Sequence, residues 1–267
     1  MAFDVAAASY DRFMGAWSAP LSGPFADVAG VRPGMRVIDV GCGPGSLTAE
    51  LVRRLGAERV AAVDPSEPFV EAARARHPGV DVRLASAEAL PYPDGAFDAA
   101  LAQLVVHFMT DPVAGLREMA RLTAPGGSVA ACVWDFGAGR APLSLFWRAV
   151  LELDPSAADE SGLAGARGGD LARLFEAAGL TDVDEAELTV SRGFDGFDDW
   201  WEPYTHGVGP AGSYVIGLDD AGRSELRERC RWMLPEGLFT LTAVAWTARG
   251  LSQPGRNLQA LRSHPWA

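Results

Sequence analysis

The sequence has 267 residues, 48% of them hydrophobic, and a formal net charge of −12. That length and composition can bury a sizeable core as one large or two small domains, while such an acidic chain repels phosphate backbones, so we expect no nucleic-acid partner. Three widely spaced cysteines argue against a disulfide framework or a zinc site. We find neither a basic-then-apolar N-terminus nor a long apolar run, and therefore expect a cytoplasmic protein without a membrane partner.

Residues 1–35 precede the first predicted strand and carry large apolar side chains at helical spacing. These are Tyr10, Phe13, Met14 and Trp17. The spacing predicts a helix with one apolar face, which either docks on the core or forms a lid over a ligand. Pro20, Pro24 and Pro33 predict that the segment is broken into short pieces.

The next stretch, residues 37–48, is an apolar run that ends in an acid and three glycines, followed by an amphipathic pattern. It predicts a buried strand, a tight turn and a helix. The acid and the glycines are Asp39, Gly41, Gly43 and Gly45. Glycine lets a backbone pass close to a ligand, and the free N–H groups of a helix start favour polar or anionic groups. Cys42, inside the turn, is a small side chain in a tight place.

A second predicted strand ends at Asp64, which follows Gly45 by 64 − 45 = 19 residues. An acid at roughly this spacing meets a ribose hydroxyl in nucleotide-binding folds. The turn and the acid together predict a cofactor that contains a nucleoside.

The pattern then alternates between strands and helices. The predicted strands are 36–40, 59–63, 81–85, 97–102 and 128–134, and the predicted helices are 46–55, 67–76, 112–122, 143–153 and 170–178. Apolar strands alternating with helices indicate a parallel sheet covered on both faces, with ligands outside the carboxyl ends of the strands.

The C-terminal third predicts a sixth strand at 183–190 and a last strand at 239–246. About 40 residues are inserted between them, including a helix at 219–234, and residues 249–267 predict a weakly ordered tail. The insertion is rich in aromatic residues, among them Trp200, Trp201 and Tyr204. They form either a packing subdomain or the wall of an apolar substrate pocket; the aromatic excess favours the pocket wall.

The glycine turn departs from a dinucleotide fingerprint, because Ser46 stands where that fingerprint has its third glycine. Its acid, Asp39, lies two residues before the first glycine, and this pattern resembles the first motif of class I S-adenosylmethionine (SAM)-dependent methyltransferases. The later motifs of that family are matched in order. They are Asp64-Pro65-Ser66, the loop Ser86-Ala87-Glu88-Ala89-Leu90-Pro91, the fourth strand up to Gln103, and Leu116 to Leu122 followed by Pro125-Gly126-Gly127. Within that family, the sequence most resembles the small-molecule, ubiquinone/menaquinone-biosynthesis-like branch.

The resemblance implies an α/β, Rossmann-like fold with a seven-stranded, mostly parallel sheet, an antiparallel last strand and a helical insertion between strands 6 and 7. It implies one domain over residues 1–250, with lid helices at 1–35 and a cap at 193–235, then a tail at 251–267. The implied cofactor is SAM. Its expected binding residues are Tyr10, Met14, Asp39, Gly41, Cys42, Gly43, Gly45, Asp64, Pro65, Ser66, Ala87, Glu88 and Gln103.

The chemistry implied is methyl transfer to an O, N or C nucleophile of a small molecule, by an in-line displacement that needs proximity and desolvation. His107, just past the fourth strand, is the candidate general base, although a loop histidine held by hydrogen bonds is an equal alternative. Asp135 ends the fifth strand and either orients His107 or contacts the substrate. Trp200, Trp201, Tyr204 and His206 are the expected substrate contacts. The sequence shows no clustered set of acids that could hold a metal, so we expect none.

Three other functions stay open. A relative of this fold can bind SAM and catalyse a pericyclic or other rearrangement without methylation. A nicotinamide-dependent oxidoreductase is disfavoured by Asp39 and Ser46, and a non-enzymatic binding module is disfavoured by the complete cofactor motif.

Overall fold

A computed structural model of the chain describes residues 7–253, and its centre is one sheet. The strands are β1 (Val37–Val40), β2 (Val60–Asp64), β3 (Asp81–Leu84), β4 (Phe97–Gln103), β5 (Thr123–Trp134), β6 (Thr181–Phe194) and β7 (Phe239–Leu251). Their spatial order is β3-β2-β1-β4-β5-β7-β6. The pairs within β1 to β5 are parallel, whereas β7 runs antiparallel to β5 and β6. This confirms the predicted fold class.

Helices cover both faces of the sheet and fill the insertion. They are α1 (Ala7–Tyr10), α2 (Ala16–Val28), α3 (Ser46–Leu55), α4 (Glu67–Arg76), α5 (Pro112–Leu122), α6 (Ser144–Leu153), α7 (Asp170–Ala178), α8 (Phe197–Trp201), α9 (Gly209–Gly217) and α10 (Asp220–Met233). A π-helical segment, Asp11–Gly15, joins α1 to α2. The sequence encodes several of the ends: Asp111 caps α5 by accepting from the Ala114 N–H, and Gly179 ends α7 at φ +89°.

The core divides between the two faces because successive strand residues point to opposite sides. In β4, Ala99 and Leu101 join the larger cluster, which α2, α3, α6 and the insertion cover. Ala100 and Ala102 join the second cluster, which α5 and α7 cover. The insertion therefore shares one continuous core with the N-terminal helices, and this core positions both above the carboxyl edge of the sheet.

The prediction that prolines break the N-terminal segment is wrong for two of the three. Pro20 and Pro24 lie inside the continuous helix α2, and both are exposed. Leu21 and Phe25, four residues apart in the same helix, form a fully buried apolar face. Burial of that apolar face outweighs the lost hydrogen bonds. Pro33 lies beyond the end of the helix.

The last two strands are longer than predicted. Their antiparallel pairing extends from Thr181 with Leu251 to Phe194 with Phe239, so Arg249 belongs to β7 rather than to a tail. Most side chains of β6 are exposed or half-buried, which explains why its apolar pattern fades at both ends. Residues 254–267 of the predicted tail lie outside the described residues, and the single domain over 1–250 stays a prediction. No helix of the described part, 7–253, is long and apolar enough to cross a membrane.

Candidate functional site

The glycine turn after β1 has a backbone that only glycine adopts without strain. Gly41, Gly43 and Gly45 have φ angles of +74°, +53° and +105°. A Cβ on Gly41 would lie 2.5 Å from both γ-methyl groups of Val105, whereas a Cβ on Gly43 would meet no atom within 4 Å. The turn therefore packs tightly on one side and leaves open space beside Gly43.

The two predicted acids lie at adjacent strand ends and are held differently. Asp64 accepts from the Gly43 N–H and the Ser66 N–H, both at 2.8 Å, so it ties the turn to the end of β2. Asp39 accepts from the Thr48 hydroxyl at 2.6 Å through Oδ2. Burial raises the pKa of both carboxyls, and that of Asp39 to about 7.

The N-terminal helices lie over this edge. The ring of Tyr10 contacts Phe69 of α4 edge-on, with centroids 5.2 Å apart. Burial raises the pKa of the Tyr10 phenol, and the charges of Asp64, Asp11 and Asp39 add to the rise. Arg76 of α4 fixes the arrangement, because it pairs with Asp11 at 2.5 Å and donates to the Pro44 carbonyl at 3.2 Å.

The remaining predicted cofactor residues are placed at the same edge. Gln103 ends β4, and its Nε2 donates to the Ser18 carbonyl at 3.0 Å. Glu88, after β3, accepts from the Thr110 N–H at 2.8 Å and so supports the loop before α5. Buried Cys42 and Ala87 flank the turn and this loop, respectively. Pro65 is exposed and Ser66 precedes α4.

Buried polar atoms without a hydrogen-bond partner concentrate here. Four of the eight such side-chain atoms in the described residues belong to the ends of β1, β4 and β5 or to the loop after β4. They are Asp39 Oδ1, Gln103 Oε1, His107 Nδ1 and Trp134 Nε1. Because buried polar atoms normally have partners, the set indicates a ligand site. Two of them, Asp39 Oδ1 of a buried acid and Gln103 Oε1, are acceptors, which fit the ammonium of an amino-acid group such as that of SAM.

A small cavity adjoins this edge, with a volume of about 30 Å³. Its wall comes from the N-terminal helices, the ends of β4 and β5, the loop after α6 and the start of α9. The lining includes Tyr10, Met14, His107, Phe136, Glu160 and Pro210. The structure thus brings the lid candidates Tyr10 and Met14 together with His107. A larger groove of about 700 Å³ lies beyond the loop after β5 and includes neither His107 nor the glycine turn.

His107 lies in a short helical turn, Val106–Phe108, and is 7% exposed. Its ring packs on Phe108, with centroids 3.9 Å apart. Burial lowers the pKa of the imidazole to about 3. A group with that pKa is neutral at pH 7 but a weak base, so this environment does not fit the general-base role expected from the sequence.

Asp135 does not orient His107. Its Oδ2 accepts from Arg140 Nε at 2.5 Å and its Oδ1 from the Ala138 N–H at 3.0 Å, while His107 Nδ1 has no hydrogen-bond partner. Arg140 also pairs with Glu187 of β6. The carboxylate of Asp135 therefore organises the turn after β5.

The three aromatic residues expected to contact substrate lie in the core instead. Trp200, Trp201 and Tyr204 are 3%, 5% and 2% exposed, and Tyr204 stacks on Phe146 of α6 at 4.6 Å. None of them lines the cavity. A run of aromatic residues does not by itself show whether the side chains face a pocket or the core. Here these side chains pack the insertion onto α6. The insertion still reaches the cavity, through residues 208–211.

His206 is also engaged elsewhere. Its Nε2 lies 2.9 Å from Glu202 Oε1, and Glu202 pairs with Arg12 of the N-terminal segment at 2.9 Å. His206 is absent from the cavity lining. Through Glu202 it belongs to an ion-pair chain that connects the insertion to the N-terminal segment.

Glu160 is a cavity residue that the sequence pattern does not reveal. It belongs to the loop after α6, is 3% exposed and lines the cavity. Its Oε2 accepts from the indole N–H of Trp147 at 2.8 Å. The surrounding Ala, Gly and Ser residues give no pattern that singles out this glutamate. Among the described residues, no group of three or more His, Cys, Asp or Glu side chains could hold a metal ion.

Known proteins resemble this chain in sequence. A family model described as a methyltransferase domain matches residues 38–131. A demethylmenaquinone methyltransferase of Mycobacterium sp. (strain KMS) is 35% identical over 175 residues, which cover 60% of this chain and 74% of that protein. This chain belongs to the methyltransferase family.

Several other curated relatives match this methyltransferase-family protein over less of their length. The ubiquinone/menaquinone biosynthesis C-methyltransferase UbiE of Idiomarina loihiensis is 39% identical over 110 residues, or 39% of this chain and 44% of that protein. The chain spans half or less of the length of several curated relatives that it matches. The crystal structure of the [4+2]-cyclase SpnF superposes with a TM-score of 0.53 at 21% identity, covering 88% of this chain and 81% of that one, which shows a shared fold.

Proposed function

We propose that this methyltransferase-family protein binds SAM at the carboxyl edge of β1, β2 and β4 and transfers its methyl group to a small molecule in the adjoining cavity. The observation that carries the proposal is the set of buried, unpartnered acceptors, Asp39 Oδ1 and Gln103 Oε1, beside the open space at Gly43. Family membership supports the cofactor, and the net charge of −12 supports a small molecule rather than a nucleic acid.

Each group at the edge has a role in this proposal. Asp39 and Gln103 accept from the ammonium of SAM, and each Asp64 oxygen retains a lone pair for a ribose hydroxyl. The loop at Ala87 and Glu88 lies on the adenine side, and Tyr10 and Met14 cover the methionine end. The bound cofactor supplies a methyl carbon made electrophilic by a positively charged sulfur.

The protein contributes alignment and exclusion of water. The cavity is walled mainly by apolar and aromatic side chains, which lower the local polarity and strengthen interactions between charges. Neutral His107 adds no positive charge beside a sulfonium and can exchange a hydrogen bond with the acceptor.

Methyl transfer is tested with methyl-labelled SAM, the purified protein and a low-molecular-weight cell extract. We expect label in a small molecule together with an equal amount of S-adenosylhomocysteine. Asp39→Asn should abolish both, while Asp184→Asn, at an exposed position of β6, should change neither. If SAM binds but no S-adenosylhomocysteine forms in any extract, a rearrangement without methylation replaces this proposal.

A further inference from the structure

The cavity contains one carboxyl group that the proposed cofactor site does not use. Glu160 is 3% exposed, and the indole N–H of Trp147 fixes one of its oxygens at 2.8 Å. The second oxygen, Oε1, accepts no hydrogen bond from residues 7–253. Glu160 lines the cavity, and a carboxylate oxygen that accepts nothing from these residues can accept from a ligand there.

The other groups that face Glu160 supply no compensating positive charge. His107, on the cavity wall, is neutral because burial lowers its pKa to about 3, and burial raises the pKa of Tyr10 so that its phenol stays protonated. Burial is the main cause that raises the pKa of Glu160 to about 7, and the interaction with Asp159 in the same loop adds to the rise. Tyr204 of the insertion also interacts with Glu160, and burial keeps it neutral by raising its pKa.

We infer that Glu160 binds the methyl acceptor directly and accepts its proton, and that the acceptor is an amine on an apolar or aromatic body. This inference rests on the proposed methyl transfer. An ammonium group balances the buried carboxylate, which a neutral alcohol does not. Phe13, Phe108 and Phe136 line the same cavity, and aromatic side chains suit both an apolar body and a cation.

The proton transfer is simple. One N–H bond of the ammonium breaks, its electron pair stays on nitrogen as the lone pair needed for attack, and the proton joins a Glu160 oxygen to give a neutral carboxyl group. The cavity of about 30 Å³ holds only one or two water-sized groups, so the lid or α9 must shift when the acceptor enters.

The pH dependence follows from the direction of the Glu160 pKa shift. Below about pH 7 the carboxyl of the free protein is protonated, and above it the group is charged. An amine that stays cationic over this range should bind more tightly as the pH rises. Between pH 6 and pH 8 the charged fraction rises from about a tenth to about nine-tenths, a roughly ninefold gain in affinity.

The experiment measures binding of benzylamine and benzyl alcohol by saturation-transfer NMR, with S-adenosylhomocysteine present at saturation. The proteins are wild type, Glu160→Gln, and Glu236→Gln as a control at an exposed position. At pH 8 we expect wild type and the control to prefer benzylamine by at least about tenfold and to show the ninefold pH effect. Glu160→Gln should lose both, with its affinity for S-adenosylhomocysteine within twofold of wild type by calorimetry.

A second variant tests the role of Trp147, and it keeps the inference testable if Glu160→Gln fails to fold. Trp147→Phe removes the hydrogen bond that lowers the Glu160 pKa, so the midpoint of amine binding should move to higher pH. An unmoved midpoint, equal binding of the amine and the alcohol, or no amine binding to wild type overturns the inference. If wild type binds S-adenosylhomocysteine in these cases, the proposed function survives; if it does not, the proposed function itself is wrong.

Discussion

Gly43 separates the cost of backbone strain from the cost of filling the cofactor site. Its φ is +53°, and a Cβ there would meet no protein atom within 4 Å. Gly43→Ala therefore adds left-handed strain of about 1–2 kcal/mol without a clash. For a chain of this size that lowers Tm by about 2–8 °C. The new methyl group projects into the space that we assign to SAM.

Gly126 is the matched control. It has φ +77° and an equally open Cβ position. It lies near the amino end of β5, however, at the edge of the sheet opposite to the proposed cofactor site. Gly126→Ala should lose a similar amount of stability in thermal unfolding yet keep its affinity for S-adenosylhomocysteine within twofold in calorimetry. Gly43→Ala should lose at least about tenfold, or 1.4 kcal/mol. Equal affinities in the two variants would refute the placement of the cofactor beside Gly43.

Asp64→Ala should weaken S-adenosylhomocysteine binding by about 1.5–3 kcal/mol in calorimetry, the scale of a lost hydrogen bond to a charged group; an unchanged affinity would show that the ribose lies elsewhere. Trp200→Ala should lower the free energy of unfolding by about 3–5 kcal/mol in denaturant titrations, because it empties a core position; a stable variant with altered ligand binding alone would return Trp200 to the substrate pocket. His107 binds a proton more weakly folded than unfolded, so stability falls as the pH drops below about 6.5; His107→Asn should remove about 2 kcal/mol of that loss between pH 7 and pH 5, and parallel stability curves for the two proteins would contradict its burial. Turnover should be insensitive to chelators, and loss of activity in EDTA that magnesium restores would show a metal site.

The sequence predicts the sheet well because its signals are local. The strand of residues 37–40 is buried throughout, as apolar runs between glycine turns and helices indicate. Every cofactor motif follows a strand end, and parallel strands bring those ends to one edge. The order of the strands and the antiparallel last pair follow from the family resemblance rather than from periodicity.

The side-chain environment is less predictable, because it depends on contacts between distant segments. The identity of Trp200 shows that its side chain is apolar. It does not show that the aromatic segment around Trp200 packs against α6. Its position near a strand end indicated a catalytic role for Asp135. In the structure Asp135 pairs instead with Arg140, only five residues later in the sequence. The pKa of His107 and the importance of Glu160 depend on burial by several elements, which no local pattern encodes.

The central claim, that the acid-glycine edge binds SAM, is tested most directly by calorimetric titration of the wild-type protein with S-adenosylhomocysteine and, separately, with NAD. We expect one molecule of S-adenosylhomocysteine to bind per chain, more weakly as the pH falls below about 7 because Asp39 becomes protonated, and NAD not to bind. Binding of NAD, with no heat from S-adenosylhomocysteine, would contradict the account.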